Sequence, residues 1–308
     1  MPATNEPKKR ILPPVTLDAS YKLCQQMVRD ELNQYRWTIS NLPRDMRPFV
    51  YSVLALTLRS RRLADIHISK TGRQEMLDDL REDMRNNFME EESTDQFPAL
   101  LDTMTRHAIP QQYLQDIVAS ADMCLHIDRF QSFDQWLQLG YRIGGGTLMA
   151  LISIWGAEKQ GYDESAMCCG QAIYLTYLLA DILDEIQKME HYLPVDDLQS
   201  FNVDLDRHNP TNPQPELLRL IRLMVERIEG LYEQGGLVVN HLSLDGQRVM
   251  KTIITVGWNL LMKIKAEPEN TLQAQINLSK NELMRLKLKH MMGLEGGVRV
   301  IPDLDAHH

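Results

Sequence analysis

Apolar residues recur along most of this chain at intervals of three and four, the spacing that turns one side of an α-helix towards a core. Leu17 to Thr38 shows it first, with Tyr21, Cys24, Met27, Val28 and Leu32 on one stripe before Asn41-Leu42-Pro43 interrupts the pattern. Pro48 falls in the first turn of the next helix, where a missing N–H is harmless. That helix is predicted from Phe49 to about Ile68, apolar as far as Arg59-Ser60-Arg61-Arg62. Lys70 to Met89 predicts a charged, mostly solvated helix, and Glu90 to Gln96 an acidic loop. Further helices are predicted over Phe97–His107, Pro110–Leu125, Phe133–Trp155, Glu164–Lys188, Leu217–Tyr232, Leu244–Ile264 and Leu278–Met292, with a proline-rich loop over Asn202–Pro215. No segment alternates as a strand does. The pattern implies an all-α fold of about eight to ten helices in a single domain. That domain spans 17–292, after a disordered lead-in over 1–16 and before an irregular tail over 293–308.

Two helices break the rules of a plain core helix. Phe133–Trp155 carries Gly144-Gly145-Gly146 in its middle, and each such glycine costs up to about 1 kcal/mol relative to alanine. Close approach of a ligand or of a neighbouring helix is the usual compensation. No strand precedes these glycines and no GK[ST] follows, so they are not a phosphate loop. The second helix, Glu164–Lys188, is a long apolar run ending in Asp181, Asp184 and Glu185. Asp181 and Glu185 stand four apart on one face, with Asp184 beside them, a spacing that can hold a divalent cation. Carboxylates at an exposed helix end are also ordinary solvated groups, so spacing alone leaves both readings open.

Composition narrows the setting. A net charge of −9, with no basic block beyond Lys8-Lys9-Arg10, argues against a nucleic-acid partner. Cys24, Cys124, Cys168 and Cys169 lie in apolar helical segments without CxxC spacing, as buried thiols of a reducing compartment do. Met1 to Pro14 lacks the apolar core of a signal peptide, and no run reaches the roughly 18 apolar residues of a membrane span. A cytoplasmic protein is expected, with peripheral contact to a membrane left open. His67, His126 and His191 lie near acids but form no HExxH or ExxH pair. The 17 methionines are expected as core filler.

Several segments, taken in order, resemble the squalene/phytoene synthase family, the head-to-head isoprenyl synthases. Its second metal motif, G-x-A-x-Q-x-T-N-I-x-R-D-x-x-E-D followed by Y-L-P, is matched without a gap by Gly170, Ala172, Thr176, Asp181-Ile182-Leu183-Asp184-Glu185 and Tyr192-Leu193-Pro194. Leu198 to Val203 resembles the family's continuation. Arg129 to Asp134 with Tyr141 to Gly145 resembles its R-Y-x-T-x-x-E…V-A-G region, and Leu244–Ile264 and Leu278–Leu288 its two C-terminal helices. The resemblance covers about Leu17 to Leu288.

It implies an isoprenoid-synthase-like helical bundle around a central cavity, with Tyr177, Tyr174, Gly144 and Gly145 lining that cavity. It also implies two aspartate-rich motifs on facing helices that bind Mg²⁺ and grip the diphosphate of a prenyl substrate. Diphosphate leaves as its charge is neutralised, and an allylic cation remains in a dry cavity. Asp181, Glu185 and Asp65 are implied as catalytic, and these three with Asp184 as metal ligands.

The first motif, R-x-x-D-D-x-x-D, departs from the family. Counted without a gap from Leu42-Pro43, its aspartate positions fall on Arg61, Arg62 and Asp65. A slip of three instead leaves Ala64, Asp65 and Ile68 there; we prefer the gapless register. Tyr177 replaces an asparagine and Ala180 an arginine, Glu190 and His191 fall in a usually basic stretch, and Cys124 takes a position where aspartate is common, with Asp122 close by. Arginine cannot ligate Mg²⁺. Arg61 and Arg62 therefore have three options: to pair with the facing acids and plug the site, to grip diphosphate directly, or to face solvent. The resemblance implies a prenyltransferase of isoprenoid biosynthesis with an altered metal site. The alternative is a non-catalytic relative serving as a binding or assembly module.

Overall fold

The computed structural model describes residues 16–32, 36–40, 42–63, 69–88, 98–187, 193–207, 209 and 212–291. Within them the chain runs α1 (Leu17–Glu31), α2 (Arg36–Ser40), α3 (Arg47–Arg62), α4 (Lys70–Phe88), α5 (Pro98–His107), α6 (Gln111–His126) and α7 (Phe133–Gly140). A π-helical turn, Tyr141–Gly145, leads directly into α8 (Gly146–Trp155). There follow α9 (Asp163–Ala180), α10 (Ile182–Gln187), α11 (Val195–Ser200), α12 (Pro215–Gly235), α13 (Leu244–Ala266) and α14 (Lys280–Met291), with short 3₁₀ turns between them. Among the described residues there is no strand, only an isolated bridge between Ala157 and Leu242. The helices outnumber those expected because long periodic stretches are subdivided. Side-chain caps mark some of the starts: Thr16 accepts the Ala19 N–H at 3.3 Å, and Ser243 the Gly246 N–H at 3.2 Å.

α9 is the axis of the bundle. It is packed by α12, α13, α8 and the π turn, and residues on every side of it, such as Cys169, Gly170, Ala172, Leu175 and Leu178, are buried. A helix apolar all round can sit only in the middle of a core. α7, the π turn and α8 form the continuous helix expected across Phe133–Trp155. Neighbouring helices occupy the space its glycines leave, with backbone at Gly144 and Gly146 and the Met167 side chain at Gly145. A Cβ on Gly144 would lie 2.2 Å from the Gly170 carbonyl oxygen, and one on Gly170 would lie 2.4 Å from the Gly144 carbonyl oxygen. The π turn and α9 therefore cross backbone to backbone, and dispersion contacts along that crossing offset the glycines' helical cost.

The predicted helix Glu164–Lys188 is interrupted at Asp181. Ala180 gives its carbonyl to the Ile276 N–H at 3.0 Å instead of continuing the helical ladder. Asp181, with φ −98° and ψ 9°, ends α9, and α10 starts anew at Ile182. A cluster the sequence did not signal ties α11 to α12. Arg227 grips Asp197 through two bonds of 2.6 and 3.0 Å and lies 4.4 Å over the Phe133 ring.

Two of the four thiols, Cys24 and Cys169, are buried, whereas Cys124 and Cys168 are half-buried at the edges of their helices. Burial pushes the Cys24 thiol up to about 11, against the pull of nearby Arg59, and raises Cys169 further. Both stay protonated at pH 8. Maleimide labelling of the native protein at that pH is expected to reach Cys24 and Cys169 only as fast as the chain unfolds. Equal, rapid labelling of all four cysteines would contradict this packing. Among the described residues, no helix is long and apolar enough to cross a membrane.

Candidate functional site

Two helical stripes define the site. On α3, Val50, Leu54, Thr57, Leu58 and Arg61 share one face, and on α9, Gly170, Ile173, Tyr174 and Tyr177 do so. They face each other across an almost wholly apolar cavity of about 150 Å³, closed further by Ile143, Leu151, Trp155 and Ile253. Two of its hydroxyls are engaged with each other and with backbone. Thr57 Oγ1 and Thr147 Oγ1 pair at 2.7 Å, and Thr57 bonds back to the Val53 carbonyl at 3.2 Å.

Both stripes finish at the same end of the cavity, called its mouth below. One turn beyond Tyr177, Asp181 donates its backbone N–H to the Tyr177 carbonyl at 3.1 Å. Arg61, the last cavity-lining residue of α3, donates from Nη2 to Asp181 Oδ2 at 2.9 Å. The other oxygen, Oδ1, accepts a hydrogen bond from Gln275 Nε2. Gln275 is brought there by the Ile276–Ala180 backbone bond. The Asp181 side chain is 8% exposed and that of Arg61 is 39% exposed. The pair therefore joins a buried carboxylate to a partly exposed guanidinium.

The sequence-derived candidates divide accordingly. Gly144, Tyr174 and Tyr177 line the cavity, but Gly145 does not: a Cβ there would meet the Met167 side chain at 2.8 Å. It is turned about a helical step away from Gly144, towards Met167 of α9. Arg62, one step beyond Arg61, leaves the stripe and pairs with Glu31 at the end of α1. Asp65 lies outside the described residues, as do the side chains of Asp184 and Glu185 and the histidines His67 and His191. Asp122, next to the substituted Cys124 position, is bonded by Arg81 of α4 at 2.9 Å. Gln275 was missed, and nothing local could have found it; its role arises from a contact 94 residues away in sequence.

Comparison with known proteins gives a consistent answer. A model of the squalene/phytoene synthase family matches residues 29–282. A phytoene synthase of Mycobacterium bovis is 25% identical over 267 residues, covering 85% of this chain and 87% of its own. One of Arthrospira platensis is 26% identical over 238 residues, covering 72% and 77%. Among solved structures, a dehydrosqualene synthase superposes with a TM-score of 0.78 at 17% identity, over 91% of this chain and 98% of its own. The squalene synthase HpnC of Alicyclobacillus acidocaldarius superposes with 0.72 at 20% identity, over 83% and 96%.

Proposed function

This chain belongs to the squalene/phytoene synthase family, and from that premise we propose that it is a prenyltransferase of isoprenoid biosynthesis whose substrate is a prenyl diphosphate. The observation that carries the reading is the apolar cavity ending on Arg61. The hydrocarbon chain would occupy the cavity and the diphosphate would meet the guanidinium at the mouth. A planar fork of N–H donors suits phosphate oxygens, and an apolar wall keeps water from an allylic cation. At about 150 Å³ the cavity holds roughly what a benzene-sized void holds. A full farnesyl chain must therefore widen it by rotamer changes in the lining.

Family resemblance implies Mg²⁺ on Asp65, Asp181, Asp184 and Glu185, and of these Asp181 alone has a described side chain. Both oxygens of Asp181 already accept N–H donors, one of them from a guanidinium. A divalent cation on Oδ2 would stand against a fixed positive charge at hydrogen-bond distance. Binding and orientation are the roles we assign to the described residues. Arg61 neutralises the diphosphate, Asp181 sits beside it with its other oxygen bonded by Gln275, and Tyr174 and Tyr177 wall the reacting end.

The Asp181–Arg61–Gln275 cluster also favours a second reading, in which the chain binds the same ligand without turning it over. Incubation with farnesyl and geranylgeranyl diphosphate, with and without Mg²⁺, separates the two. Release of diphosphate together with a prenylated product is expected from the prenyltransferase. Tight binding without release supports the second reading, and absence of both removes each of them.

A further inference from the structure

We propose that α14 is a docking face for an anionic lipid surface. The helix carries Lys280, Arg285, Lys287 and Lys289 against one acid, Glu282, in a chain whose net charge is −9. Its inner side is fixed: Leu286 is buried and Leu283 packs on the core. The acid is consumed within the fold. Glu282 accepts the Ser279 N–H at 2.7 Å, and its own N–H bonds the Ser279 hydroxyl at 3.2 Å, a capping box that starts the helix. Lys263 of α13 closes on the same carboxylate at 3.0 and 3.1 Å.

What remains outside is an apolar pair among cations. Met284 and Leu288 are 57% and 49% exposed, and four residues apart they share one face. At 100° per residue, Lys280 and Lys287 fall to one side of that pair and Arg285 and Lys289 to the other. Long basic side chains flanking an exposed apolar strip can reach phosphate headgroups while the strip enters the acyl boundary. A nucleic-acid surface would leave Met284 and Leu288 in water, which disfavours that partner. The face is tied to the site through the segment before it, where Gln275 and Ile276 hold the end of α9. The docking face itself stands whether or not the prenyl reading does.

Flotation of the full-length protein with extruded vesicles tests the proposal. Binding is expected to vesicles of mixed phosphatidylcholine and phosphatidylglycerol, to weaken at least about tenfold on phosphatidylcholine alone, and to fall as sodium chloride is raised. The pairs Met284→Glu with Leu288→Glu and Arg285→Gln with Lys287→Gln are each expected to lower partitioning about tenfold or more, with an unchanged melting temperature. Failure to bind the anionic vesicles, binding insensitive to salt, or binding unaffected by both variant pairs would overturn it. So would a concentration-dependent dimer that Met284→Glu abolishes, because a second copy would then be what covers the face.

Discussion

Gly144→Ala is expected to destabilise this protein by about 3 kcal/mol or more, at the upper end of overpacking costs. The new methyl carbon would stand 2.2 Å from the Gly170 carbonyl oxygen and 2.7 Å from its carbon. Those are backbone atoms of the central helix and cannot rotate aside. Relief would require the π turn and α9 to separate, and both helices line the cavity, so its shape would change with the fold. Gly170→Ala is expected to do the same from the other side, since its Cβ would meet the Gly144 carbonyl at 2.4 Å. Gly230→Ala on α12 is the control. Nothing lies within 4 Å of a Cβ added there, and a stabilisation of about 0.5–1 kcal/mol is expected from the lower entropy of the unfolded chain. Urea unfolding of the three variants checks the set. A Gly144→Ala protein as stable as wild type would mean that the backbone crossing is absent.

Arg61→Gln is expected to lower affinity for a prenyl diphosphate about 10- to 100-fold, the effect of removing a charged hydrogen-bond partner from a phosphate. Stability should fall by about 1–3 kcal/mol, because the buried Asp181 carboxylate loses its guanidinium and keeps the Gln275 N–H. Arg62→Gln should leave affinity unchanged, because Arg62 is paired with Glu31 away from the cavity. Calorimetric titration with a non-hydrolysable prenyl thiodiphosphate, alongside thermal melts, reads both quantities. Equal losses in the two variants would place the anion outside the mouth described above.

The contrast between these residues shows what periodicity makes legible. Every cavity-lining position on α3 and α9 follows from helical spacing. The three- and four-residue steps from Val50 reach Arg61, and those from Gly170 reach Tyr177 and then Asp181. Counting without a gap set Arg61 against the second motif, and the structure pairs Arg61 with Asp181. The glycine run signalled a close approach, but spacing could not say to what; the answer came from Gly170, on another helix.

Contacts between distant segments carry what was not legible. The break at Asp181 depends on the Ile276 N–H taking the Ala180 carbonyl, and no property of residues 164–188 announces it. The same segment supplies Gln275. Gly145 was misplaced because adjacent residues on a helix face different neighbours, which a three-residue motif conceals. The half-exposed Cys124 and Cys168 were misjudged for a related reason, since apolar surroundings in sequence do not fix which face of a helix is covered.

The central claim is that a guanidinium, rather than a metal held by Asp181, receives the diphosphate. Asp181→Asn tests it most directly, read as affinity for a prenyl thiodiphosphate with Mg²⁺ and again with a chelator. If Arg61 is the receptor, removing the competing carboxylate charge leaves affinity unchanged or tighter, and chelation has no effect. Loss of affinity in Asp181→Asn, together with loss in the wild type on chelation, would show that Asp181 holds a metal and that the Arg61 account is wrong.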